Sequence, residues 1–177
     1  MSMSRIWTEK GFVDDDPWIF EIDEQTTTSG ARIVQSFKTF LEVADSATES
    51  GQARDISVEP SDDISLLAPY LHRIDLIAVS FPAFSDGRGF SQASVLRTNL
   101  LYNGEVRAIG DVLIDQIPLM LRCGVDSFAV SNPVALRRLA ENRLNGIPLH
   151  YQPAAQREEK PRAPSYAWRR QTAAIAR

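Results

Sequence analysis

From residue 55 onward, short apolar runs alternate with amphipathic stretches at a regular spacing. This alternation is typical of β-α units whose strands form a parallel sheet. It predicts four strands, at 56–59, 75–81, 105–110 and 125–130, and a helix after each, at 64–71, 91–101, 114–122 and 133–143. The run 75–81 is apolar at successive positions, which is expected for a strand buried on both faces. The fold class is therefore α/β, with about four β-α units forming a parallel sheet.

Four such units with short connections form either half of a β/α barrel or a small open parallel sheet. The half-barrel arrangement is favoured, because consecutive strands usually lie side by side and no long connection suggests a reversal of strand order. A half barrel leaves the edges of its sheet open. We expect either the N-terminal arm or a second subunit to cover them, and a homodimer is the second of these arrangements.

The pattern divides the chain into three parts: an irregular N-terminal arm with one helix at 1–54, the β-α domain at 55–150, and a tail at 151–177. Residues 11–22 predict two short strands, or an extended arm, joined by a turn at the acidic triplet 14–16. Apolar residues recur at helical spacing between 31 and 44, which predicts a helix packed on the core. The tail is basic and rich in proline, which favours an extended or flexible segment.

Charge is distributed unevenly along the 177 residues. From Pro153 onward there are six basic and two acidic residues, a net charge of +4, which leaves the first 152 residues with −8 in a chain of −4. An acidic body repels phosphate backbones, so nucleic acid is not an expected partner unless the basic tail alone binds it. The N-terminus has no apolar signal-peptide run, and no apolar stretch is long enough to cross a bilayer. We therefore expect a cytoplasmic protein with no membrane partner.

The chain offers few residues that bind metals or cofactors. One cysteine, Cys123, and two distant histidines, His72 and His150, give no ligand spacing for zinc and no disulfide. We therefore expect no metal site. Neither a phosphate loop with lysine nor a complete dinucleotide-binding glycine motif is present, so the cofactor stays unknown. At a helix end before glycine, Cys123 is expected to be a small buried packing residue.

Polar residues follow the predicted strands where each one ends, and in a parallel sheet these carboxyl ends gather ligands. The residues concerned are Glu59, Asp86, Gly87, Arg88, Gly89, Ser91, Asp111, Ser131 and Asn132. Around Arg88, glycines permit a close approach of the backbone, the guanidinium offers a planar set of donors, and the following helix begins near Ser91. This combination suits an oxyanion ligand such as sulfite, sulfate or phosphate.

Each of these residues also has a purely structural interpretation. The sequence Asp-Gly-Arg-Gly at 86–89 is typical of a tight turn with a helix cap and an internal Asp86–Arg88 pair. Asp86 and Asp111 are the candidate acid/base groups. Asp111, Asp115 and Gln116 are similarly candidates for acid/base groups or cation ligands. Alternatively they are residues at a helix start, where aspartates stabilise the helix dipole without any chemistry.

The stretches 81–93, 96–97, 104–116 and 122–128 resemble the bacterial family called domain of unknown function 934. The resemblance covers about residues 55–150. The positions that match the family pattern are Phe81, Pro82, Phe84, Asp86, Gly87, Arg88, Gly89, Ser91, Arg97, Glu105, Arg107, Gly110, Asp111, Asp115, Gln116, Arg122, Cys123, Gly124, Asp126 and Phe128. One departure is visible: the family usually has Arg followed by Gly-Phe or Gly-Tyr around 99–102, where this chain has Asn-Leu-Leu-Tyr.

Members of that family are usually labelled probable oxidoreductases of sulfite reduction, because their genes lie beside those of assimilatory sulfite reductase. The resemblance therefore implies a role in cysteine biosynthesis from sulfate. It is compatible with an accessory protein that binds sulfite reductase or its electron donor. It is also compatible with a small oxidoreductase or oxyanion-binding enzyme whose site uses Arg88, Asp86 and Asp111.

Overall fold

The computed structural model describes residues 4–20, 32–44 and 55–144, and a single sheet runs through all three ranges. Its strands are β1 (Arg5–Thr8), β2 (Gly11–Val13), β3 (Trp18–Phe20), β4 (Arg32–Ser36), β5 (Asp55–Val58), β6 (Leu76–Phe81), β7 (Glu105–Gly110) and β8 (Ser127–Val130). The helices are α1 (Phe37–Ala44), α2 (Arg88–Thr98), α3 (Ile117–Arg122) and α4 (Pro133–Ala140), with a 3₁₀ helix at Ile64–Arg73. Pro69 lies inside the 3₁₀ helix, where its missing N–H and its ring oppose regular α-helix.

The strand order across the sheet is β2-β1-β8-β7-β6-β5-β4-β3. Strands β3 to β8 are parallel and lie in chain order, while β1 pairs antiparallel with β8 and β2 pairs antiparallel with β1. The predicted α/β class with a parallel sheet is confirmed, and the sheet is open rather than a closed barrel. On the β8 side the N-terminal arm covers the edge of the parallel strands, which is one of the two expected arrangements.

The sheet is strongly curved. β2 and β3 are its two edge strands, yet only four residues, 14–17, connect them. Eight strands in a flat sheet would separate the edges by about 34 Å. The chain from Val13 to Trp18 spans at most about 19 Å. The edges therefore bend toward each other, and the short connection crosses the concave face, as expected for a half-barrel-like sheet.

The two faces of the sheet differ in what covers them. Right-handed crossovers that always advance in the same direction place their helices on one side. The main core accordingly joins Ile77, Val79 and Phe81 of β6 to buried residues of the helices, among them Leu67, Leu96, Ile117 and Leu139. On the opposite, concave face a smaller cluster of Val34, Leu76 and Ala78 packs against Trp18 and Ile109.

The helix predicted over 31–44 is wrong in its first half. Residues Arg32–Ser36 form β4, and only Phe37–Ala44 is helical. Pairing with β5 buries Val34, and the Ser36 hydroxyl then accepts the Thr39 N–H at 3.2 Å at the start of α1. A strand forms here instead of the predicted helix because this segment pairs with β5. That partner lies about twenty residues away, beyond the range of a local pattern of apolar residues.

The family departure at 99–102 coincides with strained backbone. After α2, the Tyr102 N–H donates to the Leu96 carbonyl at 2.9 Å, which closes the helix end, and Leu101 adopts a φ of +53°. Leucine rarely occupies this left-handed region, because its Cβ crowds the backbone, whereas glycine has no Cβ. The Leu101 residue is also 70% exposed, so packing gives little in return.

We expect Leu101→Gly to raise the free energy of unfolding by about 1 kcal/mol, because relief of the left-handed strain exceeds the entropy cost of glycine. Thermal denaturation followed by circular dichroism measures the effect. Asn142→Gly is the matched control, since Asn142 has the same φ of +53° but asparagine tolerates that conformation. An equal gain in both variants, or a loss at 101, would contradict the strain at Leu101.

Candidate functional site

The carboxyl ends of β5 to β8 lie at one edge of the sheet, because these strands are parallel. We call the connections that follow them, residues 59–63, 82–87, 111–116 and 131–132, the carboxyl-end rim. Hydrogen bonds link neighbouring parts of it. The Asp111 N–H donates to the Phe81 carbonyl at 2.7 Å, and Gln116 Nε2 donates to the Phe84 carbonyl at 3.4 Å. Gln92 Nε2, from α2, donates to the Glu59 carbonyl at 2.9 Å.

The Asp86–Arg88 pair dominates the connection after β6. Arg88 donates to the Asp86 carboxylate from Nε at 3.0 Å and from Nη2 at 2.7 Å, and its backbone N–H adds a bond of 3.1 Å. The Arg88 side chain is 62% exposed. The hydrogen bonds from Arg88 hold the pKa of Asp86 below its usual range. The structural interpretation, an internal Asp86–Arg88 pair at a turn, therefore describes this geometry. Two guanidinium nitrogens of Arg88 already donate to Asp86.

We expect the Asp86 carboxyl to titrate below the ordinary value of an aspartate, and Arg88→Ala to move the midpoint upward. In the folded state the depressed pKa keeps Asp86 ionised, so the pair stabilises the fold above the ordinary pKa. That contribution is lost as the pH falls through the depressed pKa. Carbon-13 NMR of the carboxyl group in wild type and variant measures both midpoints. Identical midpoints would show that Arg88 does not set the ionisation of Asp86.

The two glycines of this loop have different roles. A Cβ at Gly89 would lie 2.8 Å from the Phe81 ring, so the packing of α2 on β6 requires glycine there. A Cβ at Gly87 would meet nothing within 4 Å, and its φ is an ordinary −85°. The fold thus explains Gly89 without a ligand. At Gly87, in contrast, the start of α2 is left open to the close approach of another molecule.

The remaining candidates share the edge of the sheet but not a common set of contacts. Glu59, Asp111 and Ser91 are exposed. Asn132 accepts the N–H groups of Val134 and Ala135, so it caps α4. Within the part of the chain that the structure describes, no hydrogen bond or ion pair joins the side chains of Glu59, Arg88 and Asp111. The structure places these residues on one rim without assembling a catalytic constellation.

The rim is acidic and partly apolar. Its four connections contain six carboxylates and neither lysine nor arginine: Glu59, Asp62, Asp63, Asp86, Asp111 and Asp115. Arg88, which follows the second connection as the first residue of α2, is neutralised by Asp86. Phe84 is 63% exposed, and Leu119 on α3 is exposed as well. Such a surface repels small anions and suits a cationic or aromatic partner.

Cys123 ends α3 and is half-buried. Burial raises the pKa of its thiol, and its side chain packs against the main core. The thiol is therefore held in its protonated, poorly nucleophilic form at neutral pH. These properties match the packing role expected for it.

A buried polar cluster lies on the concave face, and the sequence pattern predicts no role for it. Arg107 is 1% exposed and donates to Asp16 at 2.7 and 3.0 Å, to Glu105 at 2.8 Å and to the Ser127 hydroxyl at 3.0 Å. Its guanidinium carbon lies 4.9 Å from the Trp18 ring centroid. The available signal was the alternation of Glu105 and Arg107 with apolar residues along one strand. The cluster lies toward the amino-terminal ends of the parallel strands, where barrel-like folds concentrate stabilising contacts.

A second buried charge ties the arm to the same face. Asp55 is fully buried and accepts hydrogen bonds from Trp18 Nε1 at 2.8 Å, Arg32 Nε at 3.0 Å and the Leu76 N–H at 3.0 Å. Burial raises the pKa of Asp55, and Arg32 opposes that shift. Trp18 thus bridges both clusters and fixes the arm across the concave face.

Two further findings, on metal-binding groups and on membrane-spanning helices, apply to the described residues. No three histidine, cysteine or acidic side chains among 4–20, 32–44 and 55–144 are grouped so that they could hold a metal ion. None of the helices in these ranges combines the length and the apolar character needed to cross a membrane.

Comparison with known proteins identifies a family for this chain. A family model described as a bacterial protein of unknown function, DUF934, matches residues 55–162. No match was found among the curated proteins or among the solved structures. The family match spans every element from β5 to α4, so it includes the whole carboxyl-end rim and the buried Arg107. The family resemblance expected from the sequence is confirmed.

Proposed function

This chain belongs to the bacterial protein family DUF934, and we propose that it is a cytoplasmic accessory protein of assimilatory sulfite reduction. In this role it binds sulfite reductase or the electron donor of that enzyme through the carboxyl-end rim and turns over no substrate itself. The pathway rests on the family resemblance described above. The binding role rests on the chemistry of the rim.

The exposure of Phe84 is the observation that carries the binding role. Phe81, three residues earlier, is 1% exposed, whereas Phe84 is 63% exposed. The loop between them and α2 is held by the Asp86–Arg88 pair and by the hydrogen bond from Gln116 to the Phe84 carbonyl. A large aromatic side chain displayed on a braced loop is the kind of residue that supplies binding energy in protein interfaces.

Ionisation favours binding over turnover at this surface. A general acid or base works best with a pKa near the operating pH. The pKa of Asp86 is lowered by Arg88, and the pKa of the Cys123 thiol is raised by burial. Both shifts move these groups away from neutral pH, so neither is poised for proton transfer or nucleophilic attack there.

A small oxidoreductase or oxyanion-binding enzyme is the second proposal, favoured by the open backbone at Gly87. Against it stand the six carboxylates of the rim and the pairing of Arg88 with Asp86. Calorimetric titration of the full chain with sulfite and with sulfate tests this proposal. Binding that Arg88→Ala weakens would support the oxyanion site, and equal titrations of wild type and variant would remove it.

Binding to purified sulfite reductase and to its electron donor, both from the same organism, measured by biolayer interferometry, tests the accessory role. We expect Phe84→Ala to weaken the interaction at least about tenfold, since truncation of an interface anchor costs more than about 1.4 kcal/mol. Leu101→Ala is the matched control, because Leu101 is similarly exposed but follows the opposite end of α2. No binding by wild type to either sulfite reductase or its electron donor would refute this role.

Growth of a deletion strain tests the pathway independently of any contact. We expect impaired growth on sulfate and on sulfite and normal growth on cysteine, because the proposed step lies between sulfite and cysteine. Normal growth on all three sulfur sources would contradict the pathway.

A further inference from the structure

We propose that the basic segment 157–170 of this chain docks on the carboxyl-end rim of the same chain, over the apolar surface formed by Phe84 and Leu119. The segment then occupies the surface to which the proposed function assigns a partner. The docking itself needs no partner and is a property of the isolated protein.

Charge complementarity is the first argument. Segment 157–170 has five basic residues against two acidic ones, Arg157, Lys160, Arg162, Arg169 and Arg170 against Glu158 and Glu159. The connections of the rim contain six carboxylates, and only Asp86 among them has a cationic partner in the described residues. Opposite charges on this scale attract over a distance of about 8–10 Å at physiological ionic strength.

Apolar complementarity is the second argument. Gln116 bonds to the Phe84 carbonyl from one end of α3, and Leu119 lies one turn further along that helix, so Phe84 and Leu119 belong to neighbouring parts of one surface. Both side chains are exposed. The segment supplies Tyr166 and Trp168 directly before its arginine pair. An aromatic residue beside a cation matches an apolar surface flanked by carboxylates.

Geometry permits the contact. α4 begins at the rim, directly after β8, and runs back across the sheet, so Leu144 lies toward the opposite end. A six-residue strand such as β7 is about 20 Å long. The thirteen residues 145–157 reach about 43 Å when extended. A tether of this length also gives an effective concentration of about a millimolar, so a weak intrinsic affinity is enough to populate the docked state.

Paramagnetic NMR on the full chain tests the proposal. A nitroxide is attached at Ser165→Cys in a Cys123→Ser background, and the amide signals of Gly87 and Asp111 on the rim are compared with those of Asn103 and Asn142 at the other end. We expect the rim signals to lose several times more intensity than the distant ones in low salt. The difference is expected to disappear in 0.5 M sodium chloride, where the Debye length is about half its physiological value.

Charge variants distinguish docking at the rim from a general electrostatic attraction to the protein. Asp111→Asn with Asp115→Asn is expected to abolish the selective loss at the rim. Glu9→Gln with Glu141→Gln changes the net charge equally at exposed positions away from the rim and is expected to leave the selective loss intact. The amide spectrum itself shows whether each variant is folded. Uniform broadening in wild type, or equal effects of the two double variants, would overturn the proposal.

A mixed sample distinguishes docking within one chain from docking on a second copy of the chain. Isotope-labelled chain without nitroxide is mixed with unlabelled chain that has it, and we expect no selective broadening of the rim signals. Selective broadening in that mixture would overturn docking within one chain. Should the segment fail to dock while Phe84→Ala still weakens binding to sulfite reductase, this inference fails and the accessory role stands.

Discussion

Replacing Arg107 by alanine is expected to lower the free energy of unfolding by about 3–5 kcal/mol, the cost of removing one partner from a buried ion pair. Arg107 is 1% exposed and bonds to Asp16 and Glu105. Without the guanidinium, two carboxylates face each other on the concave side with no cation between them. Urea denaturation followed by circular dichroism measures the loss.

Arg88→Ala is the matched control for this prediction. Arg88 also makes two hydrogen bonds to one aspartate, but its side chain is 62% exposed, whereas that of Arg107 is 2% exposed. Water solvates both Arg88 and Asp86 when they separate, so an exposed pair of this kind contributes little to stability. Equal losses in the two variants would show that burial is not what makes the Arg107 cluster stabilising.

The second large effect is expected from Gly110→Ala, at about 3 kcal/mol of lost stability. Gly110 has a φ of +92°, and a Cβ there would lie 2.6 Å from the Phe81 carbonyl oxygen. Both strands must shift to accommodate the new methyl group, because the obstacle is backbone rather than a flexible side chain. The same urea experiment measures the loss, and the Asp111 amide, bonded to that carbonyl, is expected to lose protection in hydrogen exchange.

Gly87→Ala is the control at the same rim. With a φ of −85° and an open Cβ position, it is expected to change stability by less than about 0.5 kcal/mol. Its effect on binding is then informative, because a loss of partner affinity without a loss of stability shows close approach to the backbone at this point. A loss of stability at Gly87 equal to that at Gly110 would contradict the steric argument.

Strand β7 shows which parts of the fold are readable from sequence. Its bounds, 105–110, agree with the prediction residue for residue. The predicted units before and after it exist with ends shifted by a few residues, as at α2, which begins at Arg88 rather than 91. In the N-terminal arm the prediction of helix is wrong at 32–36, because this segment forms a strand by pairing with β5, which lies further along the chain. Apolar spacing records local periodicity and carries no information on distant pairing.

The candidate site, like the fold, was predictable only in part. That Glu59, Arg88 and Asp111 share one edge of the sheet was predicted, because the direction of parallel strands fixes where their ends lie. Whether Arg88 faces a ligand or Asp86 depends on the turn geometry at 86–89. Whether Gly89 serves a ligand or the Phe81 ring depends on how α2 packs. Neither property has a signature in the spacing of residues.

By itself, the sequence determined the α/β class, the parallel β-α units and the edge at which their polar ends collect. These follow from short apolar runs and from apolar residues at helical spacing, which are patterns among near neighbours in the chain. Only the tertiary structure decided that the arm extends the sheet at both edges and that Asp16 meets Arg107, 91 residues away. Such contacts depend on which edges and charges the curved sheet brings together, and this is settled only when the whole chain has folded.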